Sequence, residues 1–453
     1  MKILLTTHQF LPHFSSGTEI LTFKTAKELQ ALGHEVHVFT GYPAQVEMTD
    51  DERFDSYVHD GIPVERFHHA CVPMGGQSNV IEAEYNCSFF GEYFRKYLLK
   101  LKPDIVHFFH LGRLSASAID VCSELNIPMV FTPTDFWFVC FMNQLRLTDH
   151  SLCCGPDRNR LNCLRHYIRL TQSQEIQSKV DKIPNIVLGP IVWSIKKGFF
   201  GSKWYSPYVK ALVDRTDFLM SRLNKINRVL VPTRIMEKVL KENGLNSRIS
   251  IFSPFGIDTV ETVKKVKTYD GGTLRIGFIG TLYEHKGPHI LLKALKLIHD
   301  APVSVKLYGK LDDFPDYVSE LRDIASDDKR VTFCGTFPNN EIGNIFESLD
   351  VLVVPSIWYE NTPLVMYSAQ ASGCIVIASD VGGISEVIHH QENGLLFKPG
   401  DVDGLASCIK ALLSDAGMLQ RLSSNAKQPK SIVNYAREVD ETYVSVINES
   451  KTA

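Results

Sequence analysis

Three loops in this 453-residue sequence carry side chains suited to phosphate and sugar chemistry next to glycine and a helix start. The first reads Gly280-Thr281-Leu282-Tyr283-Glu284-His285-Lys286-Gly287-Pro288. A lysine just ahead of a helix can set an ammonium on a phosphate beside the unpaired amides of the first turn. It shares the logic of a phosphate loop without the Walker A sequence. The second reads Pro355-Ser356-Ile357-Trp358-Tyr359-Glu360-Asn361-Thr362-Pro363-Leu364. Thr362 is expected as N-cap and Pro363 as the first helical residue, with Gly373 as C-terminal cap. Glu360 then projects from a helix entrance, where a carboxylate can accept hydrogen bonds from sugar hydroxyls. Leu364 and Ser368 follow on one helix face. The third, Ser379 to Ile388, repeats the pattern of strand, glycines (Gly382, Gly383) and helix start.

Two weaker signals lie in the first half. Gly17 stands at a helix entrance after the first strand, where backbone amides and the helix N-terminus favour an anion; an ordinary strand-to-helix turn explains it equally well. His110 follows a strand and could orient or stabilise a reacting hydroxyl. His107 lies inside that strand and is read as structural.

These residues need elements to hold them. Apolar runs without polar alternation mark strands covered on both faces. In the first half they are Ile3–Thr6, Val36–Thr40, Val64–Phe67, Ile105–Phe109, Met129–Thr132 and Val229–Val231. In the second they are Leu274–Ile279, Val303–Tyr308, Val331–Phe333, Val351–Val354 and Ile375–Ala378. Helical patterns alternate with them, which implies parallel, doubly wound sheets. In such sheets ligands bind at the carboxyl ends of the strands, where the three loops fall. The expected organisation is an N-terminal domain over 1–257 with a Cys-containing insertion at about 141–206 and a linker over 258–272. A C-terminal domain over 273–430 follows, then a helix from 431 to 453.

Composition narrows the class. Hydrophobic residues make up 44% and charged residues 22%, as in an ordinary globular chain of two domains. The formal net charge of -3 and the scattered bases give no general attraction to nucleic acid. The N-terminus turns polar too soon for a signal peptide and reads as a strand, so the ten cysteines are expected as reduced thiols in a cytoplasmic protein. Ile183–Gly201 is the most apolar stretch, interrupted by prolines and lysines. Packing on the protein is the favoured reading. Trp193, Phe199, Phe200 and Trp204 among lysines leave contact with the inner face of a membrane as the lesser one.

Taken in order, these motifs resemble glycosyltransferase family 4, a retaining GT-B family that uses nucleotide-sugar donors. The resemblance runs through Gly17-Thr18-Glu19, Gly33-His34-Glu35-Val36, Pro103-Asp104-Ile105-Val106-His107 and Pro254-Phe255-Gly256-Ile257-Asp258. It continues from Gly280 to Gly287, from Pro355 to Gly373 and from Val381 to Ile388. It implies two Rossmann-like domains facing across a cleft, with the nucleotide sugar bound by the second over 273–430 and the helix from 431 to 453 crossing back to the first. It also implies roles: Lys286 on the donor diphosphate, Glu360 on hydroxyls of the donor sugar, amides of Leu364 and Val365 near the phosphates, Gly17 near the diphosphate and His110 near the reacting sugar. Gly280, Thr281, Asn361, Thr362 and Ser368 complete the expected donor-binding set. The sequence departs from the family at Ser368, where a second Glu usually contacts the nucleotide ribose. It departs again at Thr281, where a base is common, at Ser16, where a second Gly is common, and at Thr134, where a His often precedes Asp135.

The implied function is transfer of a sugar from a nucleotide diphosphate donor to a glycan, lipid-linked or small-molecule acceptor, with retention and without a required cofactor. Ser368 and Thr281 favour a non-catalytic or partner-dependent binding protein as the alternative. A sugar-nucleotide epimerase on the same architecture is the second alternative. Around Asp135-Phe136-Trp137 the chain also resembles a Cys-rich loop of one branch of the family. Cys140, Cys153, Cys163 and His166 are there the ligands on offer to a zinc ion, against buried free thiols as the favoured reading.

Overall fold

The computed structural model describes residues 1–44, 48–69, 74–149, 151–199, 205–258, 264–326 and 328–452. The chain divides into two compact units, Met1–Pro254 with Tyr435–Ala453, and Phe255–Asn434.

The first unit is built on eight strands: β1 (Lys2–Thr7), β2 (Glu35–Pro43), β3 (Phe54–His59), β4 (Ile62–His69), β5 (Ile105–Phe108), β6 (Met129–Phe131), β7 (Arg228–Val231) and β8 (Ser250–Phe252). Their order in the sheet is β3-β4-β2-β1-β5-β6-β7-β8. All pairs are parallel except β3 with β4, an antiparallel hairpin at the edge that corrects the expectation of a purely parallel sheet. The central strands are buried on both faces; Ile3, Leu4, Leu5 and Ile105 through Phe109 have no meaningful exposure. That explains their unbroken apolar runs.

The helix Gly17–Ala31 leads from β1 to β2 and ends at Gly33, whose φ of +88° suits the left-handed residue that follows a helix. The last helix, Ile432–Thr452, contributes Tyr435, Val439, Tyr443 and Val446, all fully buried, on one helical stripe. Its Tyr443 hydroxyl meets His107 Nδ1 at 2.6 Å, and Thr132 Oγ1 meets the opposite ring nitrogen at 2.9 Å. Burial drives the His107 pKa down to about 3, so the imidazole is a neutral core group. The segment between β6 and β7 holds the helices Leu161–Thr171, Gln174–Asp181, Asn185–Lys196 and Ser206–Leu223.

The second unit has β9 (Leu274–Ile279), β10 (Val303–Tyr308), β11 (Val331–Gly335), β12 (Val351–Val354), β13 (Ile375–Ser379) and β14 (Leu395–Phe397) in the order β11-β10-β9-β12-β13-β14, parallel throughout. One core joins these strands to the helices Pro288–Lys296, Pro315–Ala325 and Val402–Ser414. Residues 264–272 have no helix or strand, yet they are not a loose linker. Lys267 is buried, and its ammonium donates to the carbonyls of Phe346 and Glu347. Residues 259–263 of the expected linker lie outside the described residues.

Candidate functional site

In each unit the strand order reverses direction once, and the loops that follow the two strands at that point must diverge and leave a crevice. In the second unit the reversal lies between β9 and β12. The loops that leave those strands are 280–287 and 355–363, and the loop after the neighbouring β13 joins them.

The three loops are locked together by close backbone approaches. The Ile357 amide donates to the His285 carbonyl. Gly287 has φ +74°, and a Cβ there would stand 2.0 Å from the Pro355 carbonyl oxygen, so no side chain fits. At Gly382, with φ +58°, a Cβ would stand 2.5 Å from the Glu360 carbonyl oxygen, which accepts from the Gly383 amide at 2.8 Å. The glycines of these loops are therefore spacers that let three turns pack at the strand ends.

At their meeting point Lys286 and Glu360 form an ion pair, Nζ to Oε1 2.6 Å. The same carboxylate oxygen accepts from the Ser356 hydroxyl and from the Trp358 indole, each at 2.8 Å. Lys286 Nζ also stands 4.9 Å from the centre of the Trp358 ring. Burial alone would raise the Glu360 pKa; Lys286 and the two other donors outweigh it and hold the carboxyl below its usual range. Glu360, expected to project from the helix entrance, has its carboxylate buried and turned onto Lys286. Sequence reasoning named both residues and missed that they are partners, since 74 positions separate them.

The helix after this loop is Leu364–Ser372, and its N-cap is Pro363, one residue later than expected. The Thr362 hydroxyl bonds the adjacent Asn361 carbonyl instead of capping. Leu364 and Val365 therefore supply the first-turn amides that a helix cannot pair with itself. Ser368 is buried one turn on, and its hydroxyl donates to the Leu364 carbonyl at 3.4 Å. Asn361 and Thr362 are buried, while Gly280 and Thr281 at the end of β9 are partly exposed. The helix start expected after the glycines of Ser379 to Ile388 is a single 3-10 turn, Gly382–Ile384, followed by turns.

In the first unit the reversal lies between β1 and β5, and a second cluster of charge-bearing groups gathers there. His110 follows β5, is buried, and accepts the Gly112 amide on Nδ1 at 2.9 Å. In the neutral ring the proton then sits on Nε2, which meets Asp135 Oδ2 at 2.8 Å. Both ring nitrogens are thus engaged within the unit. His8 follows β1 and lies against His110 with ring centres 4.3 Å apart. Burial, then His110 and Arg113, push its pKa well below the usual histidine value.

Beneath His8 lies Glu19, fully buried, with one oxygen 3.6 Å from His8 Nε2. Burial raises its pKa from 4.5 to about 7; Gln9 and the first-turn backbone offset part of that, but neither carboxyl oxygen has a hydrogen bond of normal geometry. Sequence reasoning quoted Glu19 only as part of a motif and passed over His8. Gly17 is exposed at the start of the helix that carries Glu19.

The cysteine-bearing segment makes a separate pocket. Cys140, Cys153, Cys163 and His166 all line it, with Phe141 and Pro156 among their neighbours. Burial, with the neighbouring Cys140 and Cys153, raises the Cys163 thiol to about 12. No group of three or more His, Cys, Asp or Glu residues among those described is arranged to hold a metal ion. The four residues offered to zinc line this one pocket. The nine cysteines described are free thiols, and Cys71 lies outside the described residues.

Two family models match the chain: Glycosyltransferase Family 4 over residues 15–151 and Glycosyl transferases group 1 over residues 273–415. The chain belongs to this glycosyltransferase family. The second-unit loops fall within the matched regions, as do Glu19, His110 and Asp135 of the first unit, whereas His8 and the helices from Leu161 to Leu223 lie outside them. An uncharacterised glycosyltransferase of Methanocaldococcus jannaschii is 32% identical over 154 residues, 33% of this family-4 chain and 38% of that relative. A D-inositol 3-phosphate glycosyltransferase of Corynebacterium urealyticum is 31% identical over 171 residues, 36% of the chain and 40% of the relative. The matched stretch thus spans well under half the length of each. Among solved structures, sucrose-phosphate synthase of Thermosynechococcus elongatus superimposes with a TM-score of 0.66 at 18% identity, covering 99% of both chains. HepE of Anabaena, in complex with UDP and glucose, gives 0.62 at 18% identity, covering 98% of this chain and 100% of its own. The fold is GT-B, with two Rossmann-like domains. No helix among the described residues is long and apolar enough to cross a membrane.

Proposed function

We propose that this chain transfers a sugar from a nucleoside diphosphate sugar to an acceptor hydroxyl, with retention at the anomeric carbon. The observation that carries the reading is the Lys286–Glu360 pair at the β9/β12 reversal, beside the first-turn amides of Leu364 and Val365. A diphosphate is doubly suited to this place. It can take the ammonium from Glu360 as its own counter-ion, and it can accept the two amides at a helix N-terminus. Charge that develops on the leaving phosphate as the glycosidic bond breaks is then met by donors already in position. Glu360, released in part from Lys286, accepts from hydroxyls of the donor sugar and so fixes its orientation. His110 contributes by offering its Nε2 proton to a hydroxyl in exchange for Asp135. Gly17, Thr281, Asn361 and Thr362 border the donor. HepE, crystallised with UDP and with UDP-glucose, and a starch synthase IV of Arabidopsis thaliana bound to ADP are consistent with such a donor.

Ser368 supports a second reading, in which the chain binds a nucleotide sugar without turning it over. Its hydroxyl donates to the Leu364 carbonyl and can offer the ribose an acceptor only, in place of the carboxylate that accepts two hydrogen bonds in the family pattern. A thermal-shift screen of UDP-, GDP- and ADP-sugars, followed by an assay for sugar transfer, separates the two. A nucleotide sugar should raise the melting temperature by mass action, and Lys286→Ala should remove the shift. Glu360→Ala should cost more with the nucleotide sugar than with the nucleotide alone. A Lys286→Ala shift equal to that of the unaltered protein would sink the phosphate assignment, and binding without transfer to any acceptor would favour the second reading.

A further inference from the structure

The helix Asn185–Lys196, in the segment outside both family models, is apolar nearly all the way round. One face is spent inward: Leu188, Val192 and Ile195 are buried. The opposite face carries Ile186 at 84% exposure, Val187 at 49%, Ile191 at 37% and Trp193 at 56%. Phe199, just beyond the helix, is 74% exposed, with its ring centre 6.0 Å from that of Trp193. Isolated exposed apolar residues need no explanation, but four along one face of a helix, with an adjoining Phe, do.

Charge says what covers them. From Leu161 to Lys197 the bases are Arg165, Arg169, Lys179, Lys182, Lys196 and Lys197 against Glu175 and Asp181 alone, a local excess of +4 in a chain of net -3. Asp181 is taken by the arginines and Glu175 by Lys179, and Lys196 is answered by Asp214 and Asp217 of the helix Ser206–Leu223. Lys182 and Lys197, at either end of the apolar face, have no acidic partner among the described residues. Lysine is depleted from protein interfaces, whereas apolar faces carrying Trp and Phe and flanked by lysine suit the headgroup boundary of an anionic bilayer. At about 1.5 Å per residue the helix is far shorter than the roughly 30 Å hydrocarbon layer, so it lies in the surface and does not span.

We infer that this face of the helix Asn185–Lys196, with Phe199, docks the first unit onto a negatively charged lipid surface. Phe200 and Trp204 lie outside the described residues and are not needed for it. The inference is independent of the transfer chemistry, since it concerns where the chain binds and not what it turns over. Its test is flotation of the full chain with vesicles of phosphatidylcholine alone, or with about a third phosphatidylglycerol. The protein should float with the anionic vesicles, less with the neutral ones, and less as salt is raised. Ile186→Gln with Trp193→Gln and Phe199→Gln should lower the bound fraction constant roughly tenfold. These side chains are exposed, so the melting temperature should hold. Lys182→Glu with Lys197→Glu should remove only the preference for anionic lipid. Quenching of tryptophan fluorescence by brominated lipid, lost in Trp193→Phe, gives a second reading without the triple variant. Absence of flotation by the unaltered protein, or equal flotation by the triple variant, overturns the inference. So does a dimer in lipid-free solution that the triple variant dissociates while neither form floats, since the face would then join two copies.

Discussion

At the residue scale the two crevices hold opposite kinds of carboxylate. Glu360 is buried but met by an ammonium, a hydroxyl and an indole N–H, and its pKa falls. Glu19 is buried beside a histidine that stays neutral, and its pKa rises to about 7. The consequence for stability follows from linkage. Below pH 4.5 Glu19 is protonated in both the folded and unfolded chain and costs nothing. Between 4.5 and about 7 the unfolded chain ionises first, so folding must take up a proton and stability falls as pH rises. Above that the cost is constant, about 3 kcal/mol from the size of the shift. Glu19→Gln removes the titration. Its first unit should therefore gain on the unaltered protein as pH is raised from 5 to 8, by about 2–3 kcal/mol in urea unfolding. A gain that does not change with pH would mean that the carboxyl ionises normally in the fold. The Glu19 carboxyl and the His8 ring were illegible as a site because Glu19 stood in a motif with no role of its own and His8 in none; only their burial against each other makes them unusual.

The elements are where sequence periodicity succeeds and where it stops. The central strands were legible because they are covered on both faces and read as continuous apolar runs. The strands that escaped reading are β3, β8 and β14, which all lie at sheet edges. Edge strands are short or half exposed: β3 reads Phe-Asp-Ser-Tyr-Val-His with Val58 at the surface, and β14 is three residues long. The last helix was legible from its stripe of Ile432, Tyr435, Val439, Tyr443 and Val446, but its polar partners were not. His107 Nδ1 meets the Tyr443 hydroxyl across 336 residues of sequence. Tyr443→Phe removes that hydroxyl and leaves a buried ring nitrogen without its partner, at a cost of about 1–3 kcal/mol. Urea unfolding should report that loss in the first unit, and an unchanged midpoint would show that the contact contributes nothing net.

For the whole molecule, two units with separate cores should unfold as two events. Scanning calorimetry is expected to resolve two transitions, and a nucleotide sugar should raise the one that belongs to residues 255–434. Lys286→Ala, which touches only that unit, should leave the other transition in place. A single transition that moves as one with ligand would show that the units are thermodynamically inseparable. The cysteine segment belongs to this scale as well. The four residues offered to zinc are brought into one pocket by three separate pieces of chain, and burial raises the Cys163 thiol to about 12.

The sequence by itself determined the class of the fold, the order of its central strands and helices, and the positions of the loops that matter. Those follow from local periodicity, from glycines forced by positive φ and close approach, and from lysine and glutamate at helix entrances. Only the tertiary structure decided what those side chains do before a ligand arrives. Glu360 turns inward to Lys286, Pro363 replaces Thr362 at the helix cap, and His8 and Glu19 meet at the β1/β5 reversal. Each of these is a contact between residues brought together by the sheet and its loops or fixed by one backbone angle. Pairing and burial depend on the whole chain's path, and no spacing along the sequence encodes them.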